Sequence, residues 1–142
     1  MSAFVLLRCV FCDTLNRVDA ERVSDGPRCA ECKKPILLDR PHKTTDADFD
    51  RMTSESAIPV LVDFWADWCG PCRAMAPALD SFAAAKAGSV LVLKLDTDAN
   101  PRTQARFNVR GIPTLIVFRN GKEHRRHVGM ANATELEALL PE

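Results

Sequence analysis

Six cysteines fall in three Cys-x-x-Cys pairs, Cys9/Cys12, Cys29/Cys32 and Cys69/Cys72, with none left over. Such a pair can open and close a small disulfide loop, or supply half of a tetrathiolate metal site. The third pair, Cys69-Gly70-Pro71-Cys72, follows the apolar run Val60-Leu61-Val62-Asp63-Phe64-Trp65 and is expected to start a helix. A thiol at that point faces unpaired backbone N–H groups and the positive end of the helix dipole. Both favour the thiolate, which is the nucleophile of disulfide exchange. Proline between the cysteines suits a rigid helix start, and the strand before them puts the pair at the carboxyl edge of a sheet, where α/β sites lie. Cys69, nearest the helix start and expected to be the more exposed, is the candidate nucleophile. Cys72, one turn deeper, is the candidate resolving thiol. The competing reading is a pair of buried thiols or half of a metal site.

Asp63 is an acid in an otherwise apolar strand. Burying it ionised costs several kcal/mol unless it is paired. It is either a solvated strand-end residue or structural ion pair, or a carboxyl of raised pKa able to take the proton from Cys72. Lys94 holds a similar place in the next strand and is its candidate partner.

The other four cysteines read C-x2-C-x16-C-x2-C over Cys9, Cys12, Cys29 and Cys32, which is zinc-ribbon spacing. Four thiolates suit one tetrahedral Zn²⁺ in a closed structural site, in preference to two disulfides or an iron centre. His42 lies outside the knuckles and is a weaker candidate ligand. His124 and His127, interleaved with Arg125 and Arg126, read as a solvated strand face. No phosphate-binding glycine loop, serine triad or flavin site is visible.

Nineteen Lys and Arg balance nineteen Asp and Glu, giving no electrostatic case for nucleic acid or an acidic membrane as partner. No apolar run approaches the ~20 residues that span a bilayer. Met1 to Arg8 has no basic segment and too short an apolar stretch for a signal peptide, so a cytoplasmic, reducing setting is expected.

Two parts must position these groups. Residues 1–40 lack a long periodic segment and cannot bury enough apolar surface unaided, for which a metal is the usual remedy. Asp39 to Lys43 reads as a linker, and 41–142 as an α/β domain. A short helix from Asp46 or Asp48 reaches about Ser56. Ile58–Trp65 is a buried strand, 69–87 a helix with Pro77 inside it, and Val90–Asp96 a second buried strand. A short helix from Asn100-Pro101 towards Phe107 precedes a hairpin, Thr114–Phe118 and Glu123–Val128, turning at Asn120-Gly121. A helix over Asn132–Leu140 closes the chain. The order β-α-β-α-β-β-α predicts a mixed sheet with helices on both faces.

This second part resembles thioredoxin over nearly its whole length. The matching motifs are Val62 to Cys72, Lys94-Leu95-Asp96, Val109-Arg110-Gly111-Ile112-Pro113-Thr114, Phe118-Arg119-Asn120-Gly121 and Val128-Gly129. The extra cysteines resemble the zinc-binding extension of two-part bacterial thioredoxins, the thioredoxin-2 type. The resemblance implies a thioredoxin fold behind a zinc ribbon, and a protein-disulfide reductase whose pair is reset by an NADPH-dependent thioredoxin reductase. It implies that Asp63 and Lys94 serve proton transfer at Cys72. Composition alone makes Pro113 an ordinary trans proline at a strand start. The resemblance implies instead a cis bond facing the cysteines, with the backbone of Ile112 open to an extended substrate segment. Trp68, Gly129 and Met130, beside Gly70 and Pro71, would complete an apolar substrate rim. For Trp65 a core role is as well supported as a functional one. No organic cofactor is expected on this chain, and a monomer is expected. The ribbon's purpose stays open between stability, partner choice and redox sensing. A rival reading is a zinc-ribbon adaptor on a thioredoxin-shaped scaffold without catalysis.

Overall fold

A computed structural model of the chain describes residues 3–142. The first element is an antiparallel hairpin of β1 (Phe4–Arg8) and β2 (Leu15–Asp19), joined through the Cys9–Cys12 knuckle. A 3-10 turn, Ala20–Asp25, leads to the Cys29–Cys32 knuckle, whose flanks Arg28 and Pro35 form an isolated antiparallel bridge. Then come β3 (His42–Lys43), α1 (Phe49–Ser54), β4 (Val60–Trp65), α2 (Gly70–Ala85) and β5 (Leu91–Asp96). The chain continues through α3 (Pro101–Arg106), β6 (Thr114–Arg119), β7 (Lys122–Val128) and α4 (Ala133–Ala138). The main sheet has the order β3-β5-β4-β6-β7. β3 and β4 run parallel to β5, while β6 and β7 run antiparallel to their neighbours. The α/β fold class expected from the sequence is the one observed.

Period-two alternation along β4 sorts the core into two layers. Val60, Val62 and Phe64 pack with Leu93, Leu95, Ile116, Phe118 and the α1 residues Phe49 and Met52. Leu61 looks the other way, towards Met75, Leu79 and Phe82 of α2 and Leu136 of α4. Each large apolar side chain buried this way contributes about 1.5–3 kcal/mol. Val5 and Leu7 of β1, fully buried, belong to the first layer, so the N-terminal hairpin shares a core with α1.

Polar links tie the same seam. The Ala57 N–H donates to the Phe4 carbonyl at 2.9 Å. The Arg8 Nε donates to the Asp48 carboxylate at 2.6 Å. Asp48 sits at the start of α1 but does not cap that helix. Its buried carboxylate accepts instead from the Thr45 N–H at 2.8 Å and from the Thr44 hydroxyl at 3.1 Å. Asp46 serves a different helix: it accepts the N–H groups of Arg102 and Thr103, at 3.1 and 2.8 Å, at the start of α3.

Two expectations need correcting, and one strand is new. The segment 39–43 is not only a connection, because His42 and Lys43 form the edge strand β3, in register with Leu93 and Lys94. Two residues are too few to show a period. β2 is also a strand that the sequence did not announce. Finally, α2 ends at Ala85 and α1 at Ser54, each about a turn or less early. Beyond α2, Gly88 takes φ +87°, and a Cβ there would meet the Ala20 carbonyl oxygen at 2.9 Å. Among the described residues no helix is long and apolar enough to cross a membrane.

Candidate active site and metal centre

Cys69 and Cys72 are joined as a disulfide, with their Cα atoms 5.3 Å apart. Cys69 is the N-cap of α2, with extended backbone, and its Sγ accepts the Cys72 N–H at 3.2 Å. Pro71 stands in the first turn, where its missing N–H leaves no bond unmade. From Cys72 the buried positions Met75, Leu79 and Phe82 follow at helical spacing, so Cys72 turns towards the sheet. The expected difference in exposure is not observed, since both cysteine residues are 3% exposed. What separates them is backbone position. Cys69 lies outside the helix with its Sγ 3.7 Å from the Ile112 carbonyl oxygen, whereas Cys72 lies within it.

Asp63 follows Leu61 by two on β4, so it shares the sheet face that meets α2. It is 1% exposed, and its Oδ1 has no hydrogen-bond partner. Burial pushes this carboxyl up to about 7, against the opposing pull of the Lys94 charge. Lys94 is its register partner on β5 and lies on the same face as Val92. The two form no ion pair: the Lys94 ammonium stands 4.5 Å from the centroid of the Trp65 ring. Trp65 is half-buried, and its indole carries that cation instead of filling the core.

The Ile112–Pro113 bond is cis, as the resemblance implied and composition did not. The Pro113 carbonyl accepts the Gly129 N–H at 2.8 Å, which brings the end of β7 alongside. Gly129 takes φ +96°, a conformation that other residues rarely adopt. At this end of the sheet Trp68 is 67% exposed, Met130 50% and Val128 63%. Gly70 and Pro71 are exposed beside them, and Ile112 is half-buried. The structure therefore brings every candidate of the apolar rim to one edge of the sheet. Val128 was missed, although its place one residue before Gly129 was a usable signal. Asp98 was missed too: its carboxylate accepts the Trp68 indole N–H at 3.0 Å. The β7 histidines and arginines form the solvent-facing strand expected, with His124, Arg125 and Arg126 exposed and His127 half-buried. Arg126 holds both Glu123 oxygens at 2.7 Å, and His127 Nε2 lies 2.9 Å from the Met130 carbonyl.

The sulfurs of Cys9, Cys12, Cys29 and Cys32 all lie within 4.8 Å of one another. Cys9 and Cys32 are 3.6 Å apart, and Cys12 and Cys29 are 3.5 Å apart. A tetrahedron with Zn–S bonds of about 2.3 Å has edges of roughly 3.8 Å, so this donor set fits zinc. The two knuckles repeat one geometry. Asp13 and Lys33 both take φ 66°, and their N–H groups donate to Cys9 and Cys29 carbonyls at 2.9 and 3.0 Å. Asn16, which no sequence signal pointed to, donates to the Cys29 Sγ at 3.4 Å and accepts the Ala30 N–H at 3.0 Å. The Cys32 N–H and the Asn16 amide hold the Cys29 thiol down at about 6, ready as a thiolate ligand. His42 is no part of the cluster. It is buried, with Nε2 against the Leu37 carbonyl, and burial lowers its pKa.

A buried dithiol loop at a helix start, a buried carboxyl of raised pKa on the sheet face that meets that helix, and exposed apolar side chains beside the loop can exchange disulfides with an extended chain. The comparisons with known proteins agree with that chemistry. The family model described as thioredoxin matches residues 40–142, and that described as thioredoxin 2, N-terminal, matches residues 8–34. Thioredoxin C-3 of Corynebacterium nephridii is 38% identical over 136 residues, covering 96% of this chain and 93% of that protein. A thioredoxin of Alicyclobacillus acidocaldarius is 49% identical over 96 residues, covering 68% of this chain and 90% of its own. Among solved structures, a mutant thioredoxin from Halobacterium salinarum matches at a TM-score of 0.66 and 33% identity, over 74% of this chain and 91% of that one.

Proposed function

Since the chain belongs to the thioredoxin family, with the N-terminal zinc-ribbon domain of thioredoxin 2, and is a thiol–disulfide oxidoreductase, we propose that it works as a protein-disulfide reductase. The observation that carries this is the Cys69–Cys72 loop at the start of α2, on the sheet face that holds the buried, unpaired Asp63 oxygen. In the reduced protein the Cys69 thiolate, held by the Cys72 N–H and the helix start, attacks one sulfur of a target disulfide. A Cys69–target bond forms as the target's own S–S bond breaks, and the departing thiolate takes a proton. Cys72 then passes its proton to the Asp63 carboxylate, whose pKa of about 7 suits both accepting and releasing it. The Cys72 sulfur attacks Cys69, the second target thiolate leaves, and the target gains two electrons as the Cys69–Cys72 disulfide closes.

Lys94 acts on this step from β5 as a nearby positive charge that keeps the Asp63 carboxyl from rising further. The target lies along the cis-Pro113 groove, with the backbone of Ile112 available for strand-like pairing and Trp68, Gly70, Pro71, Gly129 and Met130 as a sequence-tolerant rim. A thioredoxin reductase drawing on NADPH resets the pair, and the chain works as a monomer in the cytoplasm, where its free ribbon cysteines stay reduced. Residues 1–40 form the ribbon unit and 41–142 the catalytic unit.

Cys9, Cys12, Cys29 and Cys32 hold one zinc ion, which when bound supplies a closed structural crosslink between the knuckles. These thiolates remain oxidisable, so metal release under peroxide belongs to the proposed role. Graded peroxide tests it: release that begins only after Cys69 and Cys72 are overoxidised removes the sensing part.

Insulin reduction by dithiothreitol tests the whole reading. Wild-type protein accelerates the reaction, and Cys69→Ser does not. A wild-type rate no faster than that of Cys69→Ser would hand the function to a non-catalytic scaffold.

A further inference from the structure

Large exposed apolar side chains among the described residues form two groups. Trp68, Val128 and Met130 surround the dithiol, while Val10, Phe11 and Leu37 lie on the ribbon at 73%, 58% and 43% exposure. The second group borders a cavity of about 140 Å³ that Cys9, Pro35 and Ile36 also line. A cavity of roughly this size takes up a benzene ring.

Metal binding does not account for these side chains. Val10 and Phe11 are the two residues inside the first knuckle, and Ala30 and Glu31 stand at the same places in the second. Both knuckles make the same turn and the same backbone bonds, so the turn needs neither Val10 nor Phe11. Nor does folding account for them, because they are left in water, where grouped apolar surface marks an interaction site.

The charges around the cavity say what fits. Two arginine residues, Arg8 and Arg40, line it together with His42, and no acidic residue does. Arg8 is engaged with Asp48 and the Asp13 carbonyl. Arg40 is held only by its exposed neighbour Asp39 at 3.0 Å, a pairing that water and salt readily replace. The Lys34 ammonium stands 4.7 Å above the Phe11 ring, adding a cation at the rim. We infer that this ribbon surface is a second docking site, remote in sequence from the dithiol, for an acidic segment of a partner protein that inserts one bulky apolar side chain between Phe11 and Leu37. Its carboxylates would meet Arg40 and Lys34.

The test is fluorescence anisotropy on the full chain with a labelled Asp-Glu-Phe-Asp-Leu-Glu peptide. Lys-Arg-Phe-Lys-Leu-Arg and Asp-Glu-Ala-Asp-Ala-Glu serve as comparison probes. The acidic, apolar peptide should bind saturably. Phe11→Ser and Arg40→Glu should each weaken it about tenfold or more, and both variants should keep the wild-type circular dichroism and insulin-reduction rate. Raising salt from about 0.05 to about 0.5 M should weaken it as well. No saturable binding, equal binding of the basic peptide, or indifference to both substitutions would overturn the inference. So would loss of binding in Trp68→Ala, which gives the peptide to the dithiol groove. A dimer in sedimentation equilibrium that Phe11→Ser disperses would assign the patch to a second copy of the chain, and overturn it too.

Discussion

Asp63 and Lys94 are direct register partners on β4 and β5, yet no ion pair joins them. The ammonium rests over the Trp65 ring at 4.5 Å, and Asp63 Oδ1 is left buried and unpartnered. A close ion pair would hold the carboxyl ionised at every working pH. Separation leaves burial as the larger influence, so the group titrates near 7 and can exchange a proton in the range where thiols react.

That burial has a cost that depends on pH. The unfolded carboxyl titrates near about 3.9, and the folded one at about 7. Between those values the unfolded chain releases a proton that the native state keeps, so stability falls as pH rises from about 4 to about 7 and then levels. Asp63→Asn removes the fall. Its gain over wild type in urea unfolding should be small near pH 4 and reach up to about 4 kcal/mol above pH 7. Parallel stability curves for the two proteins would contradict the assignment.

The same substitution should slow chemistry while it stabilises the fold. In single turnovers at neutral pH, Asp63→Asn should form the mixed disulfide at a near-normal rate and resolve it roughly 10²-fold more slowly. An unchanged resolution rate would leave Asp63 with no part in proton transfer.

Arg8→Ala tests the seam between ribbon and α/β part. Arg8 is the cation beside the buried Asp48 carboxylate, and its loss should cost about 2–3 kcal/mol at neutral pH. Burial pushes the Asp48 carboxyl up, but the Thr45 N–H, Arg8 and the threonine hydroxyls outweigh it and hold it below its usual value. Stability from a depressed carboxyl is present above the unfolded pKa and lost as pH falls through the folded one. The difference between variant and wild type should therefore shrink below about pH 4, as read by urea midpoints.

Removing metal should reach beyond the ribbon. Val5 and Leu7 lie in one core layer with Phe49 and Met52, so loosening the knuckles loosens the packing on α1. Chelation should lower stability by about 3 kcal/mol or more, near 10 °C in melting temperature for a chain of this size. An unchanged melting curve after complete metal loss would show that the ribbon folds without it.

Trp68 is largely exposed and anchored only through its indole N–H to Asp98. Trp68→Ala should lower kcat/KM for a protein disulfide about tenfold and leave the melting temperature nearly unchanged. A matching loss with a small disulfide such as oxidised glutathione would argue against a substrate-rim role.

Much of this architecture could be read from residue order. The apolar runs of β4 and β5, the Asn120-Gly121 turn and the proline-marked starts of α2 and α3 are local signals, and the structure follows them. The cysteine spacings likewise announced the Cys69–Cys72 loop and the four-sulfur cluster. What escaped depends on contacts between distant segments. β3 is a strand only because β5 offers it an edge, and Asp46 caps α3 from more than fifty residues away. Asn16 supports the Cys29 sulfur through a fold-back that no period encodes. The position of Lys94 over Trp65, and hence the unpaired state of Asp63, depends on side-chain direction, which strand pattern leaves open.

The division of labour between the two dithiol sulfurs is tested most directly by trapping. Cys72→Ser, mixed with a disulfide-bearing protein, should accumulate a covalent adduct that dithiothreitol releases, and peptide mapping should place it on Cys69. Cys69→Ser should accumulate none. An adduct carried by Cys72 in that second variant at a comparable rate, or no adduct in the first, would contradict the assignment of Cys69 as the attacking sulfur.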